Sequence, residues 1–161
     1  MANQTQVTGE REFIQKMRGY INAVSTTKER HQILKSGGMV ARNKAKKSIP
    51  KSAKSHFYHY KGKKAEIKPG NLQKSMYVFR EKTGNVSIGP RVLRSISNGQ
   101  VIGEKPKKSS GFYAAMLYKS ATNFRTKVIE PAVYGSFDKM LKAMDKAYNR
   151  IHAKWTKKYG L

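Results

Sequence analysis

Between Arg42 and Lys68 the sequence sets ten Lys or Arg residues against one acid, Glu66, and threads Phe57, Tyr58 and Tyr60 through them. Cationic side chains pair with phosphates and exposed rings stack on bases, so this composition suits contact with a nucleic-acid backbone, strongly salt-dependent and with little sequence preference. It equally suits a solvated basic loop whose rings pack on a neighbouring subunit. Lys44, Lys46, Lys47, Lys51, Lys54, Lys61, Lys63 and Lys64 belong to this run, and Lys105, Lys107 and Lys108 form a second group. All are candidate contacts to DNA or to an acidic partner. Phe57, Tyr58 and Tyr60 are candidate subunit contacts, and no recognised DNA-binding motif is present.

Other chemistry is sparse. His56 and His59, flanked by aromatics, invite a metal reading, but the chain has no cysteine and only Glu66 nearby as an acid, so an ordinary pair of loop histidines is expected, with no metal and no cofactor. His31 and His152 fall singly in helical segments and read as surface or boundary residues. No Ser, His and acid grouping carries a nucleophile signature, and no Gly-rich phosphate loop occurs. The 9 carboxylates are scattered, so an acid/base pair would need long-range convergence. The expectation is a chain that is not an enzyme.

The elements that must hold these residues fit a single domain, 1–161, since domains commonly run to roughly 100–200 residues. A formal charge of +25 beside 38% hydrophobic residues combines a core with strong self-repulsion, which points to an environment that supplies anions. No apolar stretch approaches the roughly 20 residues of a membrane span, and the polar start lacks the core of a signal peptide. Residues 1–9 are expected to be flexible. The lack of cysteine removes disulfides and suits synthesis in a cytoplasm.

Phe13, Met17, Ile21 and Val24 mark a first helix, and Thr26 with Glu29 has capping-box spacing for a second that ends before Pro50. Gly37 and Gly38 weaken that helix unless a neighbour packs closely there. Residues 51–70 and 91–111 read as long basic loops. Alternation in 76–81, turn chemistry at Thr83-Gly84-Asn85, then Val86 and Ile88 predict a hairpin. The apolar run Phe112 to Tyr118 reads as a third strand in preference to a short helix. Pro131 opens the last helix, where Phe137, Leu141, Met144, Tyr148, Ile151 and Trp155 form a stripe with Leu141, Met144, Tyr148 and Ile151 as core. Trp155 is the candidate intersubunit anchor, and 156–161 are expected to fray. The fold class is therefore α+β: a small antiparallel sheet, hairpin plus third strand, packed by N-terminal helices and a long C-terminal helix, with long basic loops.

The order of short motifs resembles the tail-completion or neck family of minor tail components in long-tailed bacteriophages. An Ala-Lys followed by Pro closes the N-terminal helices in that family, here Ala45, Lys46 and Pro50; a Gly-x-Leu-x-x-Ser step leads into a strand, here Gly70, Leu72 and Ser75. An aromatic, here Tyr113, opens a later strand, and Pro131-Ala132 stands at the C-terminal helix. The match covers about 11–151. In place of a Glu-Phe-Gly-Thr-like turn stands "YKSAT", with Lys119 where an acid is usual, and the 91–111 loop is longer, which bears on subunit contacts at Lys119 more than on the fold.

The resemblance implies a virion structural protein made in the host cytoplasm. Copies would form a head-tail joining ring, a hexamer in the family, between the tail tube or tail terminator protein and the head connector or stopper protein, with genomic DNA in the lumen and no membrane involved. The charge alone supports an alternative, a free-standing architectural or packaging protein that binds nucleic acid.

Overall fold

The structure is a computed structural model and describes residues 10–24, 26–106, 109–112 and 114–160. Helices α1 (Glu10–Val24) and α2 (Thr27–Ser48) lead into strands β1 (His56–Tyr60) and β2 (Lys63–Ile67), the one-turn α3 (Asn71–Ser75), and the hairpin β3 (Met76–Arg80) and β4 (Val86–Pro90). Then come β5 (Gln100–Ile102), α4 (Ala114–Leu117), α5 (Ala121–Phe124), a π-helical turn (Arg125–Ile129), α6 (Glu130–Tyr134) and the long α7 (Phe137–Tyr159). The fold is α+β. The expected flexible start at 1–9 lies outside the described residues, as do Lys107, Lys108 and Tyr113.

The predicted hairpin is present, Val78 facing Ile88 at its centre. The sheet around it differs from expectation. β3 and β4 form a two-stranded sheet by themselves, while β1, β2 and β5 make a second, mixed sheet in which β5 runs parallel to β2.

Two expected loops contain that second sheet. In 51–70, Tyr60 and Lys63 bracket a two-residue turn in which Lys61 and Gly62 both have positive φ, 46° and 71°. Two positive φ values in succession match the right-handed twist of a hairpin. Within β2, Ala65 and Ile67 are buried while Lys63 and Lys64 are exposed. In 91–111, β5 pairs Val101 with Glu66 and buries Ile102.

The expected third strand is helical instead. Ala114 donates to the Gly111 carbonyl and Tyr118 to that of Ala114, so the segment closes its hydrogen bonds locally. Phe112 and Tyr118 then both turn to the core, and Tyr118 meets Phe124 edge-on at 5.2 Å.

The main core joins Ala45 and Ile49 of α2, Ile67, Leu72, Met76, Phe124, Val128 and Ala132. α2 crosses it, with α7 on its other side. Gly37 and Gly38 permit that approach: a Cβ on Gly37 would lie 2.8 Å from Met144 Cγ, and one on Gly38 3.0 Å from Val78 Cγ1. Ser36 Oγ also donates across to the Ala143 carbonyl at 3.0 Å. The loss of helix propensity at two glycines, about 1 kcal/mol each, is offset by packing available only to a bare backbone.

The last helical region departs from its predicted phase. Pro131 lies inside a continuous helical segment, where it has no N–H to donate and its ring crowds the carbonyl four residues back. A π turn relieves this, with Glu130 N–H reaching Arg125 O. In α7, Ala147 and Ile151 are buried and Met144 half-buried, but the expected core residues Leu141 and Tyr148 are 45% and 42% exposed. The helix runs to Tyr159, and Gly160, at φ 65°, closes it by donating to Thr156 O.

Candidate nucleic-acid interface

The β1–β2 hairpin turns the basic run into a defined surface. Side chains alternate across a strand, so Phe57 and His59 share one face of the hairpin with Lys64 and Glu66 opposite them. Phe57 is 59% exposed and carries Lys64 Nζ at 4.1 Å from its ring centroid. An exposed cation–π contact of this kind contributes about 0.5–1 kcal/mol, enough to hold the ring and the ammonium side by side on the surface. On the other face, Tyr58 is half-buried and its ring lies 4.6 Å from that of Phe112, tilted by 60°.

The hairpin is anchored rather than free. Lys64 N–H donates to Asn98 Oδ1 at 3.1 Å, and Gly99 N–H donates to Lys64 O at 2.8 Å. The acid of this surface, Glu66, bonds Lys68 at 2.8 Å; that hydrogen bond holds the Glu66 carboxyl below its ordinary range and raises the Lys68 ammonium.

The other predicted cations spread along the neighbouring segments. Lys44 and Lys47 are exposed near the end of α2, where they also complement its C-terminal dipole. Lys46 is half-buried, and burial, followed by repulsion from Arg42, pulls its ammonium pKa down. Lys51 and Lys54 are exposed between α2 and β1, and Lys105 is exposed after β5. Arg42, not singled out from sequence, donates from Nε to the Met76 carbonyl at 2.8 Å and so covers a backbone group of β3.

His56 and His59 face opposite sides of β1, because an offset of three residues reverses direction on a strand. They do not converge on a common point. Among the described residues no group of three or more His, Cys, Asp or Glu gathers to hold a metal. No helix among them is long and apolar enough to cross a membrane.

The expected subunit contacts divide. Phe57 is exposed, Tyr58 packs inward, and Tyr60 pairs through its backbone with Lys63. Lys119 is exposed at φ 64°, in the left-handed region, just before Ser120, whose Oγ caps α5 through Asn123 N–H. Trp155 is engaged inside its own chain: Nε1 donates to Oε1 of the buried Glu29 at 3.2 Å, tying α7 to the first turn of α2.

Two further surfaces stand out. Phe137, Leu141 and Tyr148, drawn from sequence as part of one stripe with Leu141 and Tyr148 as core, share a face of α7 and are 53%, 45% and 42% exposed, and Tyr134 of α6 is 76% exposed. The second is the open edge of β4. Glu81 N–H donates to Asn85 O and Arg91 N–H to Ser75 O, and pairs alternate in an antiparallel ladder, so Val86 and Ile88 aim their N–H and C=O away from β3. A groove of about 650 Å³ runs beside that edge, walled by Phe112, Phe124 and Ile129. Testing the alternative phase of α7, through Ala147 and Ile151, would have shown that the stripe is exposed; the edge needs the sheet topology. No family model, no curated protein and no solved structure matches the chain.

Proposed function

We propose that this chain is a structural ring subunit of the tail-completion or neck type, joining the tail of a long-tailed phage to its head connector, with its basic hairpin surface along the DNA path. The observation that carries the reading is the burial of the ordered motif residues. Ala45, Leu72, Ser75 and Ala132 are 1%, 3%, 1% and 3% exposed, inside α2, α3 and α6, while the motif prolines Pro50 and Pro131 stand exposed. Packing therefore gives these short motifs a reason to recur in order, which supports the resemblance.

Two features support a subunit in place of an isolated domain. The apolar stripe Tyr134, Phe137, Leu141 and Tyr148 and the unpaired edge of β4 lie uncovered on one chain, and uncovered apolar surface of this kind marks association sites. A ring contact joins two different patches of the same protein, and here two such patches exist.

The test is the mass of the purified protein by light scattering across ionic strength. With +25 charges per chain, repulsion opposes assembly at low salt and is screened beyond about 8 Å at physiological salt. The expected result is a closed oligomer, a hexamer by the resemblance, that strengthens as salt rises or when short DNA is added. A monomer at every concentration and salt, coupled with tight duplex binding, would favour a free-standing nucleic-acid-binding protein instead.

A further inference from the structure

Beside the tip of the β1–β2 hairpin lies a second cleft, of about 490 Å³. Tyr58 and Phe112 line it with half-buried Leu93 and Ile96, while the exposed Lys61, Lys63 and Arg94 bring three cations to the same walls. None of the described residues that line it is acidic. The volume lies within the roughly 300–1,000 Å³ of small-ligand clefts. The combination of apolar rings and convergent cations selects a ligand that is planar at one end and anionic at the other.

Backbone strain at the tip points the same way. The first residue of the turn has φ 46° and is Lys61, where Gly, Asn or Asp would sit with less strain. A lysine in the left-handed region is strained where a glycine is not. The fold tolerates that strain at the position that adds an ammonium to the cleft.

We infer that this cleft takes an unpaired nucleotide, its base against Tyr58 and Phe112 and its phosphate against Lys61, Lys63 and Arg94. Bases stacked in a duplex cannot enter, because their faces are already covered by neighbours, whereas an unpaired base offers its ring face to an aromatic platform. The inference rests on the nucleic-acid side of the proposed function and is independent of ring formation. Its chemistry is shared by a free nucleotide and by an unpaired end of a DNA strand.

The experiment uses the full chain and three probes: a blunt DNA hairpin, the same hairpin carrying a three-nucleotide overhang with 2-aminopurine, and free dAMP. Binding is read by anisotropy, and stacking by quenching of 2-aminopurine. The inference expects the overhang to bind about tenfold more tightly than the blunt end, as one stacked base would contribute, with quenched fluorescence. Displacement by millimolar dAMP would assign the cleft to nucleotides in general; its failure, with the overhang preference intact, would assign it to a strand end. Lys61→Gly with Arg94→Gln, both at exposed positions, should abolish the preference and the quenching without lowering the melting temperature. Equal binding of blunt and overhang DNA would overturn the inference while leaving DNA contact standing. No binding of either would overturn both, and so would a preference that survives the double variant overturn the cleft assignment.

Discussion

The side-chain amide of Asn71 pairs with the backbone of Ser110 as one peptide group pairs with another. Ser110 N–H donates to Asn71 Oδ1 at 2.9 Å, and Asn71 Nδ2 donates to the Ser110 carbonyl. Both residues are fully buried. The clamp closes a span of 39 residues and holds the 91–111 segment against α3, the element that launches the β3–β4 hairpin. Lys74 Nζ assists from the same helix by donating to Gly103 O at 2.8 Å.

Asn71→Ala should therefore destabilise the fold by about 3 kcal/mol, because it strands a buried N–H and a buried C=O together. Gly103→Ala should be at least as damaging: its φ is +91°, and a Cβ would fall 2.6 Å from that of Asn71. Urea unfolding followed by circular dichroism measures both, with an unchanged m-value showing that native stability is what moved.

Trp155→Phe should cost about 1–3 kcal/mol by removing the indole donor from the buried Glu29 carboxylate. Glu29→Gln keeps an oxygen facing the indole and should cost less. Thermal melts of the two variants compare them directly; no loss in Trp155→Phe would show that ring packing, not the hydrogen bond, is what α7 contributes there.

The fold was legible where local pattern and tertiary partner agree. Alternation plus the Thr83-Gly84-Asn85 turn sufficed for β3 and β4, since each residue's direction follows from period two. In α7 the helix was legible but its phase was not. The stripe was drawn through the largest apolar residues, Leu141 and Tyr148, whereas contact with α2 runs where Ser36 and Gly37 leave little room and small residues such as Ala143 and Ala147 fit. The β1–β2 hairpin was obscured by lysines that stand outward on its strands. Its cations stand out as a group in the sequence, but Arg94 and Phe112, which complete the cleft with Lys61, come from a distant segment that no local spacing connects to it.

Acid should weaken the fold through His31. Burial, then repulsion from Arg80 and Lys35, pulls this imidazole below its ordinary 6.5, and its Nδ1 is buried without a hydrogen-bond partner among the described residues. The folded chain thus prefers the neutral ring, and the unfolded chain takes up the proton first as pH falls. The stability present above pH 6.5 is lost below it, until the folded-state ring also titrates. Urea midpoints at successive pH values should decline through this window, and His31→Leu should flatten that decline.

Duplex affinity should fall steeply with salt and vary little with sequence. Replacing Lys61, Lys63 and Lys64 with Gln should lower the slope of log affinity against log salt by about 0.9 for each phosphate contact removed. A titration series at several salt concentrations measures this; an unchanged slope would move the DNA path away from the hairpin.

Leu141→Gln with Tyr148→Gln should cost no more than about 2 kcal/mol of unfolding stability, as each residue is a little under half exposed, yet weaken self-association. Sedimentation velocity distinguishes the two effects. Native-like assembly in the double variant would remove the α6–α7 stripe from the subunit contact.

The most direct test of the central claim is to count the protein, by quantitative mass spectrometry, in purified particles from the cells that make it. A neck ring predicts one small, fixed copy number per particle, that of a single closed cyclic assembly. Absence from particles, with abundant protein in the lysate, would contradict the account.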